Sequence, residues 1–321
     1  MDDTLAGTAA STAHADTTAL SGLAFSKGHG TGNDFVLIAD PHGALEVTAE
    51  QVAALCDRHR GIGGDGLIRA VPSRFLPEGT ELLAQHPEAE WFMDYRNGDG
   101  SLSEMCGNGV RVFVHFLVQQ GLVDLPAGES LVIGTRAGIK TVVRTASGYA
   151  VDMGPWEFIF PGEATARAMD SLVSAHGLDV ARPALSVSMG NPHTVVALAE
   201  NAELAAAELR DAPVLDPVPA QGSNVEYIVM EPARSDVAGG EGALRMRVFE
   251  RGVGETRSCG TGACAAAIAA HHWAGPNSPL QWRVDVPGGQ LRIGIDPNQN
   301  GTAGRVTLAG PAVLVAGGTI G

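Results

Sequence analysis

The apolar positions along this chain fall into many short runs separated by glycine, proline and polar residues. Phe35-Val36-Leu37-Ile38 and Trp91–Arg96 predict buried strands, and Leu244–Phe249 alternates with period two, as a half-buried strand does. Thr48-Ala49-Glu50-Gln51 has capping-box spacing and predicts a helix that continues to His59. Further strands are predicted at residues 130–133, 138–143, 149–153, 185–187, 194–198, 225–229, 282–286, 291–295, 306–308 and 313–315, a short helix at 201–210, and insertions at 72–90 and 231–242.

Two segments differ from this pattern because each joins a cysteine and two glycines to an apolar helix. Cys106-Gly107-Asn108-Gly109 precedes the apolar run 110–118, and Cys259-Gly260-Thr261-Gly262 precedes the run 263–270. A helix that is apolar on all sides is normally buried. Each cysteine is therefore predicted to stand at the amino end of a buried helix, and Gly121 stands where a left-handed cap would end the first one.

The order of elements repeats, which indicates an internal duplication. Asn33 and Asn191 each follow a glycine and precede a strand, and the cysteines follow 73 and 68 residues later. We expect an α+β fold of two pseudo-symmetric domains, each a mixed, mostly antiparallel sheet curled around a central buried helix, with the active site in the cleft between them. The predicted divisions are a disordered lead-in at 1–22, an N-terminal domain at 23–150 and a C-terminal domain at 151–307.

Composition narrows the class of partner. A chain of 321 residues that is 45% apolar can fill two domain cores. Its formal net charge of −15 argues against nucleic acid and anionic membranes as partners. No apolar run reaches 18 residues, and the amino terminus lacks the pattern of a secretion signal. With four cysteines and no signal, we expect a cytoplasmic protein with reduced thiols that acts on a small molecule.

Several chemistries are disfavoured by the residues present. The only two lysines, Lys27 and Lys140, lie in no motif typical of a pyridoxal phosphate site. Gly61–Gly66 matches a dinucleotide-binding pattern but follows a helix and leads into a strand, so it predicts a turn. Metal and redox sites are disfavoured because Cys-x-x-Cys spacing and clustered histidines are absent. We expect no metal or cofactor, and we expect Cys56 and Cys264 to be core residues.

A cysteine at a helix amino terminus suits proton transfer. The partial positive charge there favours thiolate and lowers the thiol pKa, and the free N–H groups form an anion site. Two such ends facing each other could hold one carboxylate and put a sulfur on each side of the adjacent carbon. That arrangement would invert an α-amino acid without a cofactor. A thiol-redox protein, a metal-binding protein and a noncatalytic amino acid-binding module remain alternatives.

At these residues the chain resembles the diaminopimelate epimerase family. The resemblance implies that LL- and meso-diaminopimelate interconvert, for lysine and peptidoglycan synthesis, with one of Cys106 and Cys259 as thiolate base and the other as thiol acid. It also implies a homodimer and a last strand, at about 308–321, that returns to the first domain. The matching segments are Gly32–Phe35, Gly61–Gly66, Asn97–Gly109, Gly190–His193, Ser223–Glu226 and Glu250–Gly262.

The resemblance also assigns roles to individual residues. Asn33 would line the reacting end of the substrate, and His193 and Glu250 would orient or tune the thiols. Gly66 stands where some relatives carry a glutamine near the substrate. A proline or hydroxyproline racemase is the nearest alternative, although an arginine and several asparagines favour a substrate with a second amino acid end. Backbone N–H groups for the reacting carboxylate would come from Gly107, Asn108, Gly260 and Thr261, and the distal end would be held by Asn97, Asn191, Asn224 and Arg251, with Glu250 beside it.

Overall fold

The structure is a computed structural model that describes residues 20–234 and 240–321. Within these ranges the α-helices are α1 (Ala49–Cys56), α2 (Pro77–Leu83), α3 (Gly107–Gln119), α4 (Pro161–Arg167), α5 (Asn201–Ala206) and α6 (Gly260–Ala274). The strands are β1 (Ala24–Gly30), β2 (Asn33–Ala39), β3 (Gly66–Pro72), β4 (Trp91–Asn97), β5 (Ser130–Thr135), β6 (Gly138–Thr145), β7 (Gly148–Phe158), β8 (Ser171–Ser174), β9 (Arg182–Ser188), β10 (Pro192–Ala197), β11 (Val214–Asp216), β12 (Asn224–Arg234), β13 (Glu241–Glu250), β14 (Gly254–Thr256), β15 (Gln281–Val286), β16 (Gly289–Pro297), β17 (Ala303–Gly310) and β18 (Val313–Thr319).

The strand pairing repeats in the two halves. From β1 to β7 the successive pairs are antiparallel, parallel, antiparallel, parallel, antiparallel and antiparallel. The series β9, β10, β12, β13, β15, β16 and β17 gives the same order. The halves are joined where β17 pairs with β7 and where β18 pairs with β1. The β18 pairing is the contact that the predicted return of residues 308–321 requires.

Each half curls around one apolar helix. The α3 residues Val110–Val114 are fully buried, and so are Ala263–Ala270 of α6. Both helices belong to one continuous apolar core that the sheet surrounds. Burial on every side explains why these segments carry almost no polar face. None of the helices in the described ranges has the length and hydropathy needed to cross a bilayer.

Several sequence predictions hold at the level of single elements. The capping box at Thr48 is present, with Gln51 N–H donating to Thr48 Oγ1 at 3.3 Å and Thr48 N–H donating to Gln51 Oε1 at 3.0 Å. Cys56 and Cys264 are both buried, as predicted for core residues. Residues 61–65 form a bend that connects α1 to the start of β3 at Gly66, as the context of this segment indicated.

Other predictions need correction. The helix after Thr48 ends at Cys56 instead of continuing to His59, and α5 ends at Ala206. Residues 1–19 of the predicted lead-in lie outside the described residues, but 20–22 belong to the fold: Leu20 is 1% exposed, and Gly22 N–H donates to Ile320 O at 2.8 Å. The insertion at 72–90 needs no such correction: it is partly helical, with a short 3-10 helix and α2, which agrees with the prediction. Strands β12 and β13 extend into 231–242, whose residues 235–239 are not described.

Gly121 offers a test of backbone conformation alone. It follows α3 with φ of +68°, and no atom lies within 4 Å of the position that a Cβ would take. We expect Gly121→Ala to lower the free energy of unfolding by about 1–2 kcal/mol, the cost of left-handed backbone in an L-residue. Gly162→Ala in α4 is the matched control, since its site is equally open and its φ is not positive. Gly162→Ala should leave the free energy of unfolding unchanged or raise it, because alanine favours a helix more than glycine does. Urea unfolding compares the three proteins, and equal midpoints for both variants would contradict the prediction.

Candidate active site

The two cysteine motifs meet at one place in the structure. Cys106 is the N-cap of α3 and Cys259 is the N-cap of α6, each with extended backbone. A Cβ atom added to Gly260 would lie 3.5 Å from Cα of Gly107 and 3.6 Å from the backbone N of Asn108. The first turns of the two helices are therefore in contact, and the glycines after the cysteines make this approach possible.

The side chain of Asn108 ties the two helix starts together. Its buried Nδ2 donates to the backbone O of Ser258 at 3.1 Å and to Asn33 Oδ1 at 3.4 Å. Ser258 Oγ also lies 2.8 Å from Thr31 Oγ1. Thr31 has φ of +52°, a value that is uncommon outside glycine. Asn108 was predicted to contribute its backbone N–H, and the structure adds a role for its side chain in joining the halves.

Asn33 lies beside Cys106 with its amide held in one orientation. The Cys106 thiol donates to Asn33 Oδ1 at 3.3 Å, while Asn33 Nδ2 donates to Asp65 Oδ2 at 2.6 Å. Asp65 is in turn paired with Arg58 at 2.7 Å. An ionised carboxylate only accepts hydrogen bonds, so the amide nitrogen faces Asp65 and the amide oxygen faces the thiol. Asn33 thus lies against the Cys106 sulfur, with its amide oxygen towards the thiol.

A buried histidine and carboxylate lie against the start of α6. His193 Nδ1 is 2.7 Å from Glu226 Oε1, and His193 Nε2 is 3.1 Å from Asn191 Oδ1. His193 and Glu226 are both completely buried. A Cβ on Gly262 would lie 2.6 Å from Glu226 Oε1, so the glycine leaves room for the carboxylate. The histidine is therefore oriented from both of its ring nitrogens next to the helix that Cys259 caps.

Other residues predicted to hold the distal end sit at strand ends. The Arg251 backbone N–H donates to Asn224 Oδ1 at 2.9 Å, at the start of β12. Asn97 ends β4, and its Nδ2 donates to Ser101 Oγ at 3.0 Å. These contacts fix the Asn224 and Asn97 amides near the ends of their strands.

A cavity of about 500 Å³ opens beside the helix starts. Met105 lines it next to Cys106, and Asn191 and Thr261 line it from the second half of the chain. Its walls also include Lys140 and Met153 of the first half. A volume of this order suits a small molecule. Among the described residues, no three His, Cys, Asp or Glu side chains are grouped so as to hold a metal ion.

Comparison with known proteins identifies the family. The sequence profile of diaminopimelate epimerase matches residues 25–159 and 185–315. The diaminopimelate epimerase of Thermobifida fusca is 45% identical over 302 residues, which cover 93% of this chain and 98% of the relative. That of Streptomyces coelicolor is 45% identical over 303 residues, covering 92% and 94%. The chain belongs to the diaminopimelate epimerase family.

Members of the diaminopimelate epimerase family are isomerases that act as amino acid epimerases, so this chain is an enzyme of that class. A Bacillus anthracis phenazine biosynthesis protein of the PhzF family has a similar structure, with a TM-score of 0.65 at 17% identity. The similarity covers 93% of this chain and 98% of that one, and it concerns the fold alone. The predicted α+β fold of two domains is confirmed.

The pKa values of the two thiols in this epimerase run against the sequence prediction. Burial raises the pKa of Cys106 to about 11, the N–H groups of Gly109 and Asn108 oppose that rise, and the Glu250 carboxylate adds to it. Burial, with the Glu250 and Glu226 carboxylates, raises the pKa of Cys259 well above its ordinary value. The helix ends therefore act in the predicted direction, but desolvation of the thiolate outweighs them. The predicted lowering of the thiol pKa is wrong as a net effect.

The family departure at Gly66 has a steric cause. A Cβ at Gly66 would lie 2.4 Å from Arg96 O and 2.6 Å from Cε2 of Tyr95. The Tyr95 ring occupies the space that a longer side chain at position 66 would need. A side chain at position 66 would therefore require Tyr95 or the backbone of β4 to move.

Sequence reasoning did not anticipate several residues that shape the site. Most of them make contacts between residues far apart in the chain, which no local pattern reveals. Arg111 left a usable signal, because it is the one Arg, Lys, Asp or Glu in the apolar run 110–118. The unanticipated residues are Thr31, Asp65, Arg111, Glu226 and Ser258.

We expect the folded protein to carry almost no thiolate at pH 9. The pKa of Cys56 is raised to about 11, that of Cys106 to about 11 and that of Cys264 to about 12, while that of Cys259 also rises. Absorbance near 240 nm measures thiolate directly. In urea the four cysteines should instead titrate near about pH 8.5. A folded-state signal of one full thiolate at pH 9 would show that the helix ends dominate over burial.

The same pKa shifts set the sign of the pH dependence of stability. A thiol whose folded pKa is raised binds its proton more tightly in the folded state than in the unfolded state. Its contribution is fully present below about pH 8.5 and is lost as the pH rises towards the folded pKa. Urea midpoints should therefore fall between pH 8 and pH 10. A rising midpoint over that interval would contradict the direction of the shifts.

Proposed function

We propose that this protein interconverts LL- and meso-2,6-diaminopimelate through a two-base mechanism that uses Cys106 and Cys259 and no cofactor. The observation that carries the proposal is the contact between the two helix starts, with one cysteine as the N-cap of each. Family membership supports diaminopimelate as the substrate. The paired sites support inversion at a single carbon held between them.

The reacting carboxylate would bind at the N–H groups of the two first helical turns, at Gly107, Asn108, Gly260 and Thr261. One sulfur, as thiolate, takes the α-proton and becomes a thiol. The electron pair left on the α-carbon spreads into the carboxylate, where the N–H groups stabilise the added negative charge. The opposite thiol then gives its proton to the other face of the carbon and becomes a thiolate. The reverse reaction exchanges the two roles.

Two effects together supply the rate. A positioned general base accelerates a reaction by a factor of about 10²–10⁴. Each preorganised donor at the developing charge accelerates it by a further factor of about 10²–10³. The raised thiol pKa is compatible with this role. A thiol with pKa about 11 is ionised in about one molecule in a thousand at pH 8, but the thiolate that forms is a stronger base for a weak carbon acid. The ammonium group of the substrate favours that thiolate as it binds.

Some of the surrounding polar groups would orient the thiols or shift their pKa values, and others would bind the substrate. His193, fixed between Glu226 and Asn191, would orient groups near Cys259. Burial raises the pKa of Glu250, and the hydrogen bond from the Thr256 hydroxyl only partly opposes that rise. The Glu250 carboxylate acts electrostatically on both thiols.

The distal amino acid end is assigned to a separate group of residues. Asn97, Asn191, Asn224 and Arg251 would hold it, because an arginine binds both oxygens of a carboxylate. A second carboxylate and ammonium on the substrate distinguish diaminopimelate from proline.

Further expectations of the resemblance stand as part of this proposal. They are the domain division at residues 23–150 and 151–307, a homodimer, a cytoplasmic location, and a role in lysine and peptidoglycan precursor synthesis. The cysteines at positions 56, 106, 259 and 264 are all free, which supports a reducing compartment. Light scattering of the purified protein would give its mass in solution directly.

Incubation of LL-diaminopimelate with the reduced protein in deuterium oxide should yield the meso isomer carrying one α-deuterium. The reason is that the donating thiol exchanges its hydrogen with solvent before it protonates the carbon. NMR and mass spectrometry measure the product. Folded, reduced protein that incorporates no deuterium would remove the epimerase proposal, and exchange into L-proline at an equal rate would favour the proline racemase alternative.

Cysteine variants assign the reaction to the two sulfurs. Cys106→Ala and Cys259→Ala should each lower kcat by about 10²–10⁴, the usual contribution of a positioned acid or base. Cys264→Ala is the matched control, because this cysteine lies within α6 and is fully buried. It should keep near-wild-type activity. Loss of activity in all three variants would point to damage to the core instead.

Mild oxidation with diamide should inactivate the enzyme reversibly. The diamide accepts two electrons and two protons, and a disulfide forms between Cys106 and Cys259, whose helices are in contact at their starts. Dithiothreitol should restore activity, and peptide mapping should find these two cysteines joined. Full activity in protein mapped as oxidised at these positions would mean that the two sulfurs are not needed.

A further inference from the structure

Arg111 is a buried cation with no carboxylate partner. Its side chain is completely buried in α3, and no carboxylate of residues 20–234 or 240–321 forms an ion pair with it within 4 Å. The other strongly buried arginine, Arg69, differs in this respect: it pairs with Asp40 at 3.3 Å and with Asp94 at 2.8 Å. A buried guanidinium is normally compensated in the way that Arg69 is.

The neighbours of Arg111 are neutral oxygen atoms. Its Nη2 donates to Asn108 Oδ1 at 3.1 Å and to Thr31 Oγ1 at 3.4 Å. Its Nη1 donates to Gly107 O at 3.3 Å, and its Nε donates to Pro311 O at 3.4 Å. These four bonds engage four of the five N–H groups but leave the positive charge without a counter-ion.

The backbone is shaped around the guanidinium. A Cβ on Gly30 would lie 3.1 Å from Arg111 Nη2, and a Cβ on Gly310 would lie 3.3 Å from Arg111 Nε. Packing alone does not require a charge here, since an apolar side chain of similar volume is often as stabilising in a buried position. An uncompensated charge in a fitted pocket therefore points to an anion that arrives nearby.

We propose that Arg111 is the fixed counter-charge for the anions that occupy the paired helix starts, namely the Cys106 thiolate and the reacting carboxylate of the substrate. Two of its hydrogen-bond acceptors, Gly107 and Asn108, are the residues that begin α3 immediately after Cys106. Arg111 touches neither sulfur nor substrate directly, so it is a positioning residue that acts through the electric field and through Asn108. The carboxylate part rests on the proposed function, and the thiolate part does not.

The matching position in the second half carries no charge. Arg111 is five residues after Cys106, and Cys264 is five residues after Cys259. The second thiol instead has carboxylates near it, since Glu226 and Glu250 both raise the pKa of Cys259 after burial. The two thiols are therefore electrostatically different: Glu250 acts on both, but only Cys106 has the opposing charge of Arg111 and only Cys259 has the added charge of Glu226.

Several charged and titratable groups interact with the Cys106 thiol. After burial, the Glu250 charge raises the pKa of Cys106 and the Arg111 charge lowers it. Tyr95 also faces Cys106, because a charge on that sulfur raises the pKa of the phenol after burial has done so. Arg111 additionally faces the Cys264 thiol. Only Arg111 among these groups carries a positive charge.

Alkylation rates at a fixed pH of 8.5 test the proposal without any use of epimerase activity. Far below the pKa, the rate at Cys106 is proportional to its thiolate fraction, and peptide mapping separates it from the other cysteines. Arg111→Met removes the charge and should slow iodoacetamide alkylation of Cys106 about tenfold, the effect of about one pKa unit. Arg111→Lys keeps the charge and should stay within about threefold of wild type. Both variants need near-ultraviolet circular dichroism matching the wild type.

Arg144→Met is the matched control for net charge. Arg144 is a partly buried arginine of β6 that donates to Leu125 O at 2.8 Å, away from both cysteines. Its loss should leave the Cys106 alkylation rate unchanged. A folded Arg111→Met protein that reacts at the wild-type rate would overturn the proposal. Equal slowing in the Lys and Met variants would also overturn it, because that result means packing and not charge.

A measurement on the unmodified chain applies even where Arg111→Met does not fold. Iodoacetate is an anion and iodoacetamide is neutral, so their rate ratio reports the local potential. We expect a higher iodoacetate to iodoacetamide ratio at Cys106 than at Cys259. An equal or reversed ratio would overturn the inference. If the ratio is higher at Cys106 but no deuterium enters diaminopimelate, the proposed function fails and the thiolate part of this inference stands. If deuterium enters diaminopimelate but the ratio is equal or reversed, the proposed function stands and this inference fails.

Discussion

The structure depends on bringing the amino ends of two buried helices into contact. Each end carries a partial positive charge and free N–H groups, so the two ends repel one another in the absence of an anion. The contact persists because the sheet that surrounds α3 and α6 buries both helices in one core, and because Asn108 and Ser258 join their first turns. Gly107 and Gly260 leave room for this approach, since a Cβ on either would meet Leu308 Cδ2, at 2.9 and 3.1 Å, and the leucine side chain would have to shift. Stability from apolar burial thus maintains a site that attracts negative charge in a protein whose net charge is −15.

The burial that builds this site also sets its chemistry. In the proposed mechanism, a water-poor environment would strengthen each hydrogen bond to the developing carbanion and would keep solvent from taking the proton. The same environment raises the pKa values of both thiols. These consequences cannot be separated, because both follow from removing water from the helix starts. Nearby charges adjust this balance: Glu250 acts on both thiols, Arg111 on Cys106 and Glu226 on Cys259.

Local sequence signals predicted most of the strands and placed Cys106 and Cys259 at the amino ends of two buried helices, but they did not predict α4, β8, β11 or β14. Glycine after each cysteine, apolar helices behind them and the repeated order of strands all follow from chain-local rules. The direction of the thiol pKa shift could not be predicted in this way, because it depends on how completely the folded chain excludes water. The contacts of Asn33 with Asp65 and of His193 with Glu226 join residues more than 30 positions apart. The glycine at position 66 is likewise explained by a contact of the folded chain, because the Tyr95 ring fills the space beside it.

The duplication explains both the likeness and the difference between the two halves. Identical orders of parallel and antiparallel pairing place Cys106 and Cys259 in equivalent positions, which fits the proposed proton transfer on opposite faces of one carbon. In that proposal the rest of the substrate would extend to one side of the carbon only, so fully equivalent halves would not bind its distal amino acid end. The side chains behind the two cysteines have accordingly diverged, with Arg111 in one half at the position where the other has Cys264. In the proposed mechanism, symmetry of the backbone would supply the geometry of inversion, and asymmetry of the side chains would supply the orientation of the substrate.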